Sequence, residues 1–495
     1  MVFLFASTFF VRSAFPQALS AEKTTAVSWI DGAKATYDEI AKYCWENPEL
    51  SLMEVKASAK LADYLAKNGF KVEKGVSGMP TAFVATWGSG KPVIGFLAEY
   101  DALPNLSQRA ATAKQDQIIK GAPGQGCGHN LFGTSSCTAA IAAKVAMEKH
   151  GIKGTVKVFG TPAEETAGGK TYMAKDGIFN GTEVMISWHP EDLNGVDYKT
   201  FLANKGARYQ FKGRSSHAAS APEKGRSALD AVELMNVGVN YMREHVVQEA
   251  RIHYVITKGG EVPNSVPSDA ESWYYIRAPR RAQVEEISAW MLDIARGAEL
   301  MTQTKMSNSI TIGSWEILPN RALAKVGDVN VTAIGAPPFT QEDQAFGEEM
   351  IKAMGKEVKG TAYDTMITRP DFNKTFPDVP LFKASTDQGV VSWMFPLVVF
   401  SAAVKAKGVP QHSWMMSSSS GSSAGFRAGL TVSKWMAATA LDCLTKPEII
   451  PEAWKELNGY LAEHKSYLPI PADIKLPTFK EIYGIEPEAV PGYKN

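Results

Sequence analysis

Five segments of the sequence contain side chains that can bind a metal ion or transfer a proton. Glu99 and Asp101 follow an apolar run and stand two residues apart, so in an extended chain both carboxylates share one face. If this strand end is buried, the pair needs a metal ion or a histidine beside it, because an isolated buried carboxylate is costly. The alternative is a solvated strand end without a ligand.

Cys127 and His129 flank Gly128, and Gly126 precedes them. Glycines permit a tight backbone in which a thiolate and an imidazole can point at one ion. The alternative interpretation is a buried cysteine beside a histidine that caps a helix. The motif alone leaves both interpretations open.

Glu164 and Glu165 are adjacent acids that also follow an apolar run. Their mutual repulsion pushes one of them towards the neutral form. The pair makes chemical sense if one carboxylate binds a cation and the other faces a polarised water. An acidic pair at a helix N-terminus, favoured by the helix dipole, is the alternative.

His189 and His412 each follow a further apolar run. One buried histidine is usually a hydrogen-bonded core residue, but two at strand ends, together with the cysteine–histidine pair, indicate a shared site. Ligands spread from Cys127 to His412 indicate an open catalytic centre rather than a closed structural zinc site. Their number exceeds the need of one tetrahedral ion and predicts two ions, about 3.5–4 Å apart.

The elements that must position these residues are strands alternating with helices. This order predicts an α/β fold, with a mainly parallel sheet and helices on both faces, and ligands of such sheets bind beyond the carboxyl ends of the strands. The predicted strands are 81–87, 93–100, 155–160, 184–188 and 397–401; the predicted helices are two within 28–67, then 131–149, 171–175 and 425–443.

The pattern changes at residue 205. The order becomes the β-α-β-β-α-β of ferredoxin-like domains, with elements at 206–212, 227–243, 251–257, 272–278, 284–300 and 309–317. We therefore predict a small inserted domain over 205–318, inside a larger domain formed by 22–204 and 319–450. Residues 451–495 are predicted to be a C-terminal surface tail.

Composition limits the class of protein. The chain has 495 residues, which is long for one ordinary domain, and its 45% hydrophobic and 21% charged residues are typical of soluble globular proteins. The formal net charge is +0, whereas nucleic-acid binders usually carry a basic excess, so no nucleic-acid partner is expected. Four cysteines are too few for a disulfide scaffold, and because no pair forms a C-x-x-C motif, neither a structural zinc knuckle nor a thioredoxin-type redox site is expected.

The N-terminus, residues 1–21, could be a signal peptide. An apolar run over 2–10 is too short to span a bilayer, and Ala18-Leu19-Ser20 matches a cleavage site, but basic residues before the run are missing. Export to the periplasm and a cytoplasmic location both stay open, and no membrane span is expected.

Four motifs, in this order, resemble the metallo-aminoacylase and carboxypeptidase family of bimetal amidohydrolases. They are Glu-Tyr-Asp-Ala-Leu-Pro at 99–104, Gly-Cys-Gly-His-Asn at 126–130, Thr-Pro-Ala-Glu-Glu at 161–165 and Trp-His-Pro at 188–190. The resemblance runs from about residue 28 to residue 443 and is nearest to the p-aminobenzoyl-glutamate hydrolase branch. It implies that the inserted domain is a lid and dimerisation domain.

The resemblance also implies roles for individual residues. The general base would be Glu164, and Asp101 would orient the metal centre. Glu99 stands where many relatives carry a ligand histidine, and Gln388, after Asp387, stands where a second acid is expected. The ligands of the two ions would be Cys127, His129, Glu165, His189 and His412.

The lid is expected to contribute to the chemistry and to substrate binding. The resemblance implies that His217 reaches the active site of the partner in a homodimer and stabilises the oxyanion; a surface-loop residue is the alternative. Asn264, Arg277 and Arg208 are candidates for binding a substrate carboxylate, because arginine can form paired hydrogen bonds with it. Cations on a strand surface are the alternative.

Together these assignments predict a metal-dependent hydrolase that cleaves the amide bond of an N-acyl or aryl-acyl amino acid, such as p-aminobenzoyl-glutamate. Two divalent ions, zinc or manganese, would activate water, and Glu164 would carry its proton to the leaving nitrogen. A cysteine nucleophile would leave the acids and histidines without a role. A dipeptidase or carboxypeptidase of the same family, or an inactive metal-binding relative, are the alternatives.

Overall fold

The structure, a computed structural model, describes residues 18–463, 470 and 474–493. The predicted signal peptide lies outside these residues except for its last four, and its cleavage stays a prediction. Within the described part of the chain, no helix is both long and apolar enough to cross a bilayer.

The strands form one large sheet, one small sheet and a short two-stranded pair. They are β1 (Lys71–Lys74), β2 (Phe83–Ser89), β3 (Val93–Ala98), β4 (Gly154–Gly160), β5 (Val184–Glu191), β6 (Gly195–Val196), β7 (Thr200–Phe201), β8 (Ala203–Lys212), β9 (Arg251–Lys258), β10 (Asp269–Ala278), β11 (Lys305–Ser314), β12 (Leu381–Phe382) and β13 (Leu397–Ala403).

The helices pack on these sheets. They are α1 (Ala21–Gly32), α2 (Lys34–Glu46), α3 (Val55–Lys67), α4 (His129–His150), α5 (Gly169–Lys175), α6 (Ala228–Met242), α7 (Arg281–Thr302), α8 (Arg321–Ile334), α9 (Gln341–Ala353), α10 (Gln388–Ser392), α11 (Trp414–Ser420), α12 (Ser423–Thr445), α13 (Ile449–Glu463) and α14 (Phe479–Tyr483).

The large sheet has the strand order β1-β2-β4-β3-β5-β13-β6. Its centre, from β4 to β13, is parallel, and antiparallel strands flank it on both sides. Every residue of β13 is buried, and helices α4, α8 and α12 pack against the sheet. Burial of whole strands explains their continuous apolar sequence and confirms the predicted α/β class.

The small sheet forms the lid, which we define as β8 to β11 with α6 and α7. Its order is β11-β8-β10-β9, all antiparallel, and the chain order β8-α6-β9-β10-α7-β11 is the predicted ferredoxin-like unit. Side chains of β10 alternate, so Tyr274 and Ile276 pack with residues of α6 and α7 in a separate core. The residues between them, such as Trp273 and Tyr275, lie on the opposite face.

Two predictions about elements were wrong. The segment predicted as two helices within 28–67 contains parts of three, because the chain turns at Ala33 and again after Asn47. The predicted surface tail begins too early, since α13 buries Ala453 and Leu457 in the main core. The apolar spacing of these two residues, with Tyr460, is a helical signal that precedes the true tail.

Candidate metal centre and active site

The predicted site residues converge where the parallel strands end. Glu99 and Asp101 follow β3, and Glu165 lies in the loop that follows β4. His189 is near the end of β5, and His412 follows the neighbouring strand β13. The parallel pairing of these strands brings their carboxyl ends to one edge of the sheet.

Two groups of three potential ligands share Cys127. One group is Cys127, His129 and His189, and the other is Cys127, Glu165 and His412; within each group the ligand atoms lie within 4.8 Å of one another. The Cys127 Sγ lies 3.4 Å from His189 Nε2, and His412 Nε2 lies 3.3 Å from Glu165 Oε2. One thiolate between two such groups is an arrangement that suits two neighbouring cations.

Asp101 fixes the orientation of His129. Its Oδ1 lies 2.9 Å from His129 Nδ1, while its Oδ2 accepts hydrogen bonds from Ser51 Oγ and from the backbone N–H of Glu165, both at 2.9 Å. With Nδ1 donating to Asp101, the Nε2 lone pair is directed into the cluster. His129 Nε2 is buried, forms no hydrogen bond with the described residues and lies 3.3 Å from Glu99 Oε2, as expected of an atom that faces a cation site.

A buried carboxylate supports the loop that carries the acid pair. Glu54 Oε1 accepts a 2.8 Å hydrogen bond from the backbone N–H of Ala163, and Glu54 Oε2 accepts one from Thr81 Oγ1 at 2.9 Å. Ala163 has a φ of 60°, in the left-handed region that non-glycine residues seldom adopt. This turn presents Glu164 and Glu165 to the cluster.

Lys170 is a functional candidate that we did not single out from the sequence. It is fully buried, and its Nζ lies 2.7 Å from Glu99 Oε1 and 2.6 Å from Asp387 Oδ1. Gln388, where the family resemblance suggests a second acid, donates to Glu99 Oε1 at 3.2 Å. The sequence signal that could have identified Lys170 is its position directly after Gly168 and Gly169, five residues beyond the acid pair.

The donor set fits divalent cations. Five carboxyl groups and one thiol share this buried space with the Lys170 ammonium: Glu99, Asp101, Glu164, Glu165, Asp387 and Cys127. Glu99 Oε2 and Glu165 Oε1 are buried without hydrogen-bond partners. Such uncompensated negative charge is costly unless a cation neutralises it.

The pKa values of these groups also indicate a cation site. Burial, followed by the negative charges of Glu99 and Asp387, raises the pKa of Glu164 to about 8. Burial and the Cys127 thiolate raise the pKa of Glu165 well above its usual value. Burial raises the pKa of Cys127 too, but His129 and His189 outweigh it and hold that pKa well below the ordinary thiol value, so Cys127 is in the thiolate form that binds metals.

Arg277, on strand β10 of the lid, is one of the residues predicted to bind the substrate. Arg277 Nε is buried without a hydrogen-bond partner. Burial lowers the pKa of Arg277, while Tyr275 and Glu164 act on it in the opposite direction. The Arg277 Nε–H therefore remains available to an anionic ligand, and Glu164 contributes to its electrostatic environment.

Arg208 does not fit its predicted role in binding a substrate carboxylate. Its guanidinium pairs with Glu271 at 2.5 Å, donates to the backbone carbonyl of Glu481 at 2.6 Å and lies 4.2 Å from the ring centroid of Trp273. These contacts use the guanidinium to hold the lid and the C-terminal residues together, so it is not free to bind a substrate carboxylate. The sequence could not reveal them, because Glu481 is distant in the chain.

His217 and Asn264 lie in two neighbouring loops of the lid. His217 is exposed, and its Nδ1 accepts hydrogen bonds from the backbone N–H groups of Ala219 and Ser220. The backbone carbonyl of Asn264 accepts from Ala218. Among the described residues, neither side chain forms a hydrogen bond or ion pair with the cluster, so their predicted functional roles stay predictions.

Fold and site together define a metal-dependent hydrolase of amide bonds. Residues 95–380 match the model of peptidase family M20/M25/M40, and the chain belongs to this family. It is 36% identical over 466 residues to a subunit of the p-aminobenzoyl-glutamate hydrolase of Escherichia coli (strain K12), with 90% of this chain and 96% of that protein covered.

Two further relatives extend the comparison. The Xaa-Arg dipeptidase of Mus musculus is 28% identical over 458 residues, covering 90% of this chain and 94% of the dipeptidase. The crystal structure of the Bacillus subtilis YXEP protein, described as a dinuclear metal-binding peptidase of family M20, superposes with a TM-score of 0.52 at 16% identity. That match covers 84% of this chain and 99% of YXEP and supports the fold.

Proposed function

We propose that this chain hydrolyses the amide bond of an N-acyl amino acid with an aromatic acyl group, such as p-aminobenzoyl-glutamate, using two divalent metal ions. The observation that carries the proposal is Cys127, shared by two groups of three ligands beside Glu164. The relative with 36% identity, named for p-aminobenzoyl-glutamate hydrolysis, supports the substrate class.

The residues that would hold the ions are the two groups already described. His129 and His189 complete one group around Cys127, while Glu165 and His412 complete the other. Bound zinc or manganese would supply Lewis acidity to the amide carbonyl and to the attacking water. Asp101 keeps His129 in the tautomer that such binding needs.

The protein's own residues then direct the proton and the substrate. Glu164 accepts the proton of the attacking water and returns it to the leaving nitrogen, the role for which a carboxyl of raised pKa is suited. Arg277, whose buried Nε has no hydrogen-bond partner among the described residues, binds the carboxylate of the amino-acid half. Both groups are half-buried, and the reduced contact with water strengthens these interactions.

A homodimer would give His217 its proposed function. His217 is exposed and, among the described residues, forms no hydrogen bond or ion pair with the cluster of its own chain, so it acts in this proposal as an oxyanion donor to the partner subunit, with Asn264 beside it. Mixing a Glu164→Ala chain with a His217→Ala chain tests this. Regained activity in the mixture supports the exchange across the dimer, and an inactive mixture of stable dimers contradicts it.

The main test combines metal content with turnover. We expect two metal ions per chain by mass spectrometry and release of p-aminobenzoate from p-aminobenzoyl-glutamate. Cys127→Ser should lose metal from both groups and lose activity, whereas Cys443→Ser, a buried cysteine of α12, should retain both. Metal-replete wild-type protein without amide turnover on any acyl-amino acid would refute the proposal.

A dipeptidase is the second candidate function. It is favoured by the 28% identity to Xaa-Arg dipeptidase over 90% of this chain. The two functions differ in the acyl half of the substrate, which is an aromatic acid in one case and an amino acid in the other. Comparing kcat/KM for p-aminobenzoyl-glutamate with a panel of dipeptides that includes Xaa-Arg distinguishes them.

A further inference from the structure

Glu99 has one carboxylate oxygen that its hydrogen-bond partners leave free. The side chain is fully buried directly after β3, and Oε2 forms no hydrogen bond with the described residues. The other oxygen, Oε1, lies 2.7 Å from Lys170 Nζ and accepts a 3.2 Å hydrogen bond from Gln388 Nε2. These two donors hold the carboxylate by Oε1 and leave Oε2 for a different partner.

The charges around Lys170 do not balance. Asp387 Oδ1 lies 2.6 Å from the same ammonium, and Asp387 Oδ2 accepts a 2.9 Å hydrogen bond from the backbone N–H of Lys170. All three side chains are fully buried. One ammonium between two carboxylates leaves one negative charge, which is costly inside a protein unless a cation neutralises it. Because Asp387 uses both oxygens in contacts with Lys170, this charge remains on Glu99.

Glu99 Oε2 faces the nitrogen of His129 that also lacks a hydrogen bond. The two atoms lie 3.3 Å apart, and His129 Nε2 is buried without a partner among the described residues. With Nδ1 donating to Asp101, Nε2 carries a lone pair, so two electron-rich atoms are neighbours inside the protein. Their proximity is unfavourable by itself and becomes favourable when one cation binds both atoms.

The separation of these two atoms is that of two ligands on one ion. With bonds of about 2.0–2.1 Å and a tetrahedral angle, a nitrogen and an oxygen on one zinc ion lie about 3.3–3.4 Å apart. His412 Nε2 and Glu165 Oε2, which we assign to one ion, are also 3.3 Å apart. Glu99 therefore meets the same distance criterion as residues already counted as ligands.

His129 connects Glu99 to one of the two groups around Cys127. Glu99, His129 and Glu164 form a further group whose ligand atoms lie within 4.8 Å of one another, and His129 also belongs to the group of Cys127 and His189. Because Asp101 holds Nδ1, Nε2 is the atom that serves both groups, and one lone pair binds one ion. The ion on His129 thus has Cys127, His189 and Glu99 as its remaining neighbours.

The other group around Cys127 has fewer ligands and is closer to solvent. Its further members are Glu165 and His412, and the His412 side chain is 55% exposed, whereas those of Glu99 and His129 are fully buried. Zinc sites with four protein ligands are closed, and those with three keep a position for water or substrate. The two ions should therefore differ in coordination and in the ease with which they leave the protein.

We propose that Glu99 is the fourth protein ligand of the ion on His129, and that Lys170 and Gln388 are the positioning residues that direct it. We call this ion the inner ion and the ion on His412 the outer ion. The inner ion is closed by four ligands and is retained, while the outer ion keeps an open position and exchanges first. This inference rests on the two-ion centre of the proposed function.

Competition with a chelator, followed by mass spectrometry of the bound zinc, tests the assignment. Wild type should lose its two ions in separate steps. Glu99→Gln should weaken the binding of the inner ion by about 100-fold or more, because even an outer partner of a ligand contributes about 10–100-fold. Its amide oxygen would accept from Lys170 and Gln388, as Oε1 does, so the amide nitrogen would replace Oε2 at the ion.

Asp387→Asn is the matched control. Asp387 contacts the same ammonium and is equally buried, but it belongs to none of the ligand groups among the described residues. The control should bind the inner ion with the affinity of wild type. Unchanged affinity in folded Glu99→Gln overturns the proposal, and so does an equal loss in both variants. If Glu99→Gln does not fold, Glu99→Asp, which withdraws the carboxylate by one methylene, carries the same expectation and the same contradicting result.

Cobalt(II) in place of zinc gives a second readout that does not depend on turnover. Four-coordinate cobalt absorbs visible light more strongly than five- or six-coordinate cobalt. The first equivalent added to metal-free wild type should enter the inner site and give the four-coordinate spectrum. That spectrum should change in Glu99→Gln and persist in His412→Ala, which alters only the outer site. A wild-type spectrum in Glu99→Gln overturns the proposal.

Failure of the inference is distinguishable from failure of the proposed function. Two bound ions, with retention of one dependent on Glu99, support the ligand assignment even when no p-aminobenzoate is released from p-aminobenzoyl-glutamate, a result that contradicts the function alone. Turnover with two ions whose affinities do not depend on Glu99 contradicts the inference alone. Wild type that binds fewer than two ions contradicts both.

Discussion

Asp101 and His129 are joined by a contact of 2.9 Å between Oδ1 and Nδ1, and both side chains are fully buried. The same carboxylate holds the backbone of Glu165. One residue that binds no ion in our assignment therefore sets the geometry of two proposed ligands, one from each group around Cys127.

Asp101→Asn should weaken metal binding without abolishing it. The amide can accept Nδ1–H only through one oxygen and cannot balance the ring's charge, and loss of such outer partners typically costs about 10–100-fold in metal affinity or activity. Competition with a chelator measures the change. Asp116→Asn, at an exposed ion pair, is the control, and equal affinities in all three proteins would contradict the orienting role.

Glu164→Gln should separate catalysis from binding. We expect the variant to retain both ions, because the two groups around Cys127 provide five ligands without Glu164, and the glutamine amide keeps an oxygen donor in the further group of Glu99, His129 and Glu164. We expect it to lose about 10²–10⁴-fold in kcat, the usual contribution of a general base. Metal analysis and steady-state kinetics on the same sample measure both. Glu342→Gln, on an exposed helical turn, should match wild type, and undiminished turnover in Glu164→Gln would remove the proposed base.

Glu54 predicts a dependence of stability on pH. Burial, followed by repulsion from Asp101, raises the pKa of Glu54 to about 8 in the folded protein. A carboxyl whose pKa is raised by folding favours the folded state at pH below its unfolded value of 4.5, and this contribution is lost as the pH rises towards 8. Between pH 4.5 and pH 8 the melting temperature should therefore fall less steeply with rising pH in Glu54→Gln than in wild type. Parallel curves would contradict the assignment.

Lys170→Met should destabilise the protein strongly. The substitution leaves Glu99 and Asp387 buried without their cation, and breaking a buried pair in this way typically costs about 3–5 kcal/mol. Urea unfolding gives the difference. Lys34→Met, which removes an exposed pair with Asp38 on one helix, should cost about 1 kcal/mol or less; equal effects would show that the Lys170 network contributes little.

Much of this site could be predicted from the sequence because apolar runs show where the buried strands end. Apolar runs locate β3, β4, β5 and β13, and a parallel sheet brings their carboxyl ends together whatever the intervening length. Glu165, His189 and His412 therefore meet as expected. The same reasoning gave the order of elements in the lid.

What escaped prediction depends on contacts between distant parts of the chain. Arg208 looked like a substrate ligand because its partners, Glu271 and the Glu481 carbonyl, cannot be paired with it from spacing alone. Lys170 was not predicted, because its partner Asp387 is 217 residues away in the chain.

The Cys127 sulfur belongs to both proposed groups of metal ligands, so both ions would depend on this one atom. Peroxide that converts this thiolate to a sulfenic acid would remove a ligand from both groups in a single event. Loaded protein, with the thiolate covered, should resist such damage, and stripped protein should not. Metal supply and oxidative inactivation would then be linked in this enzyme through a single atom.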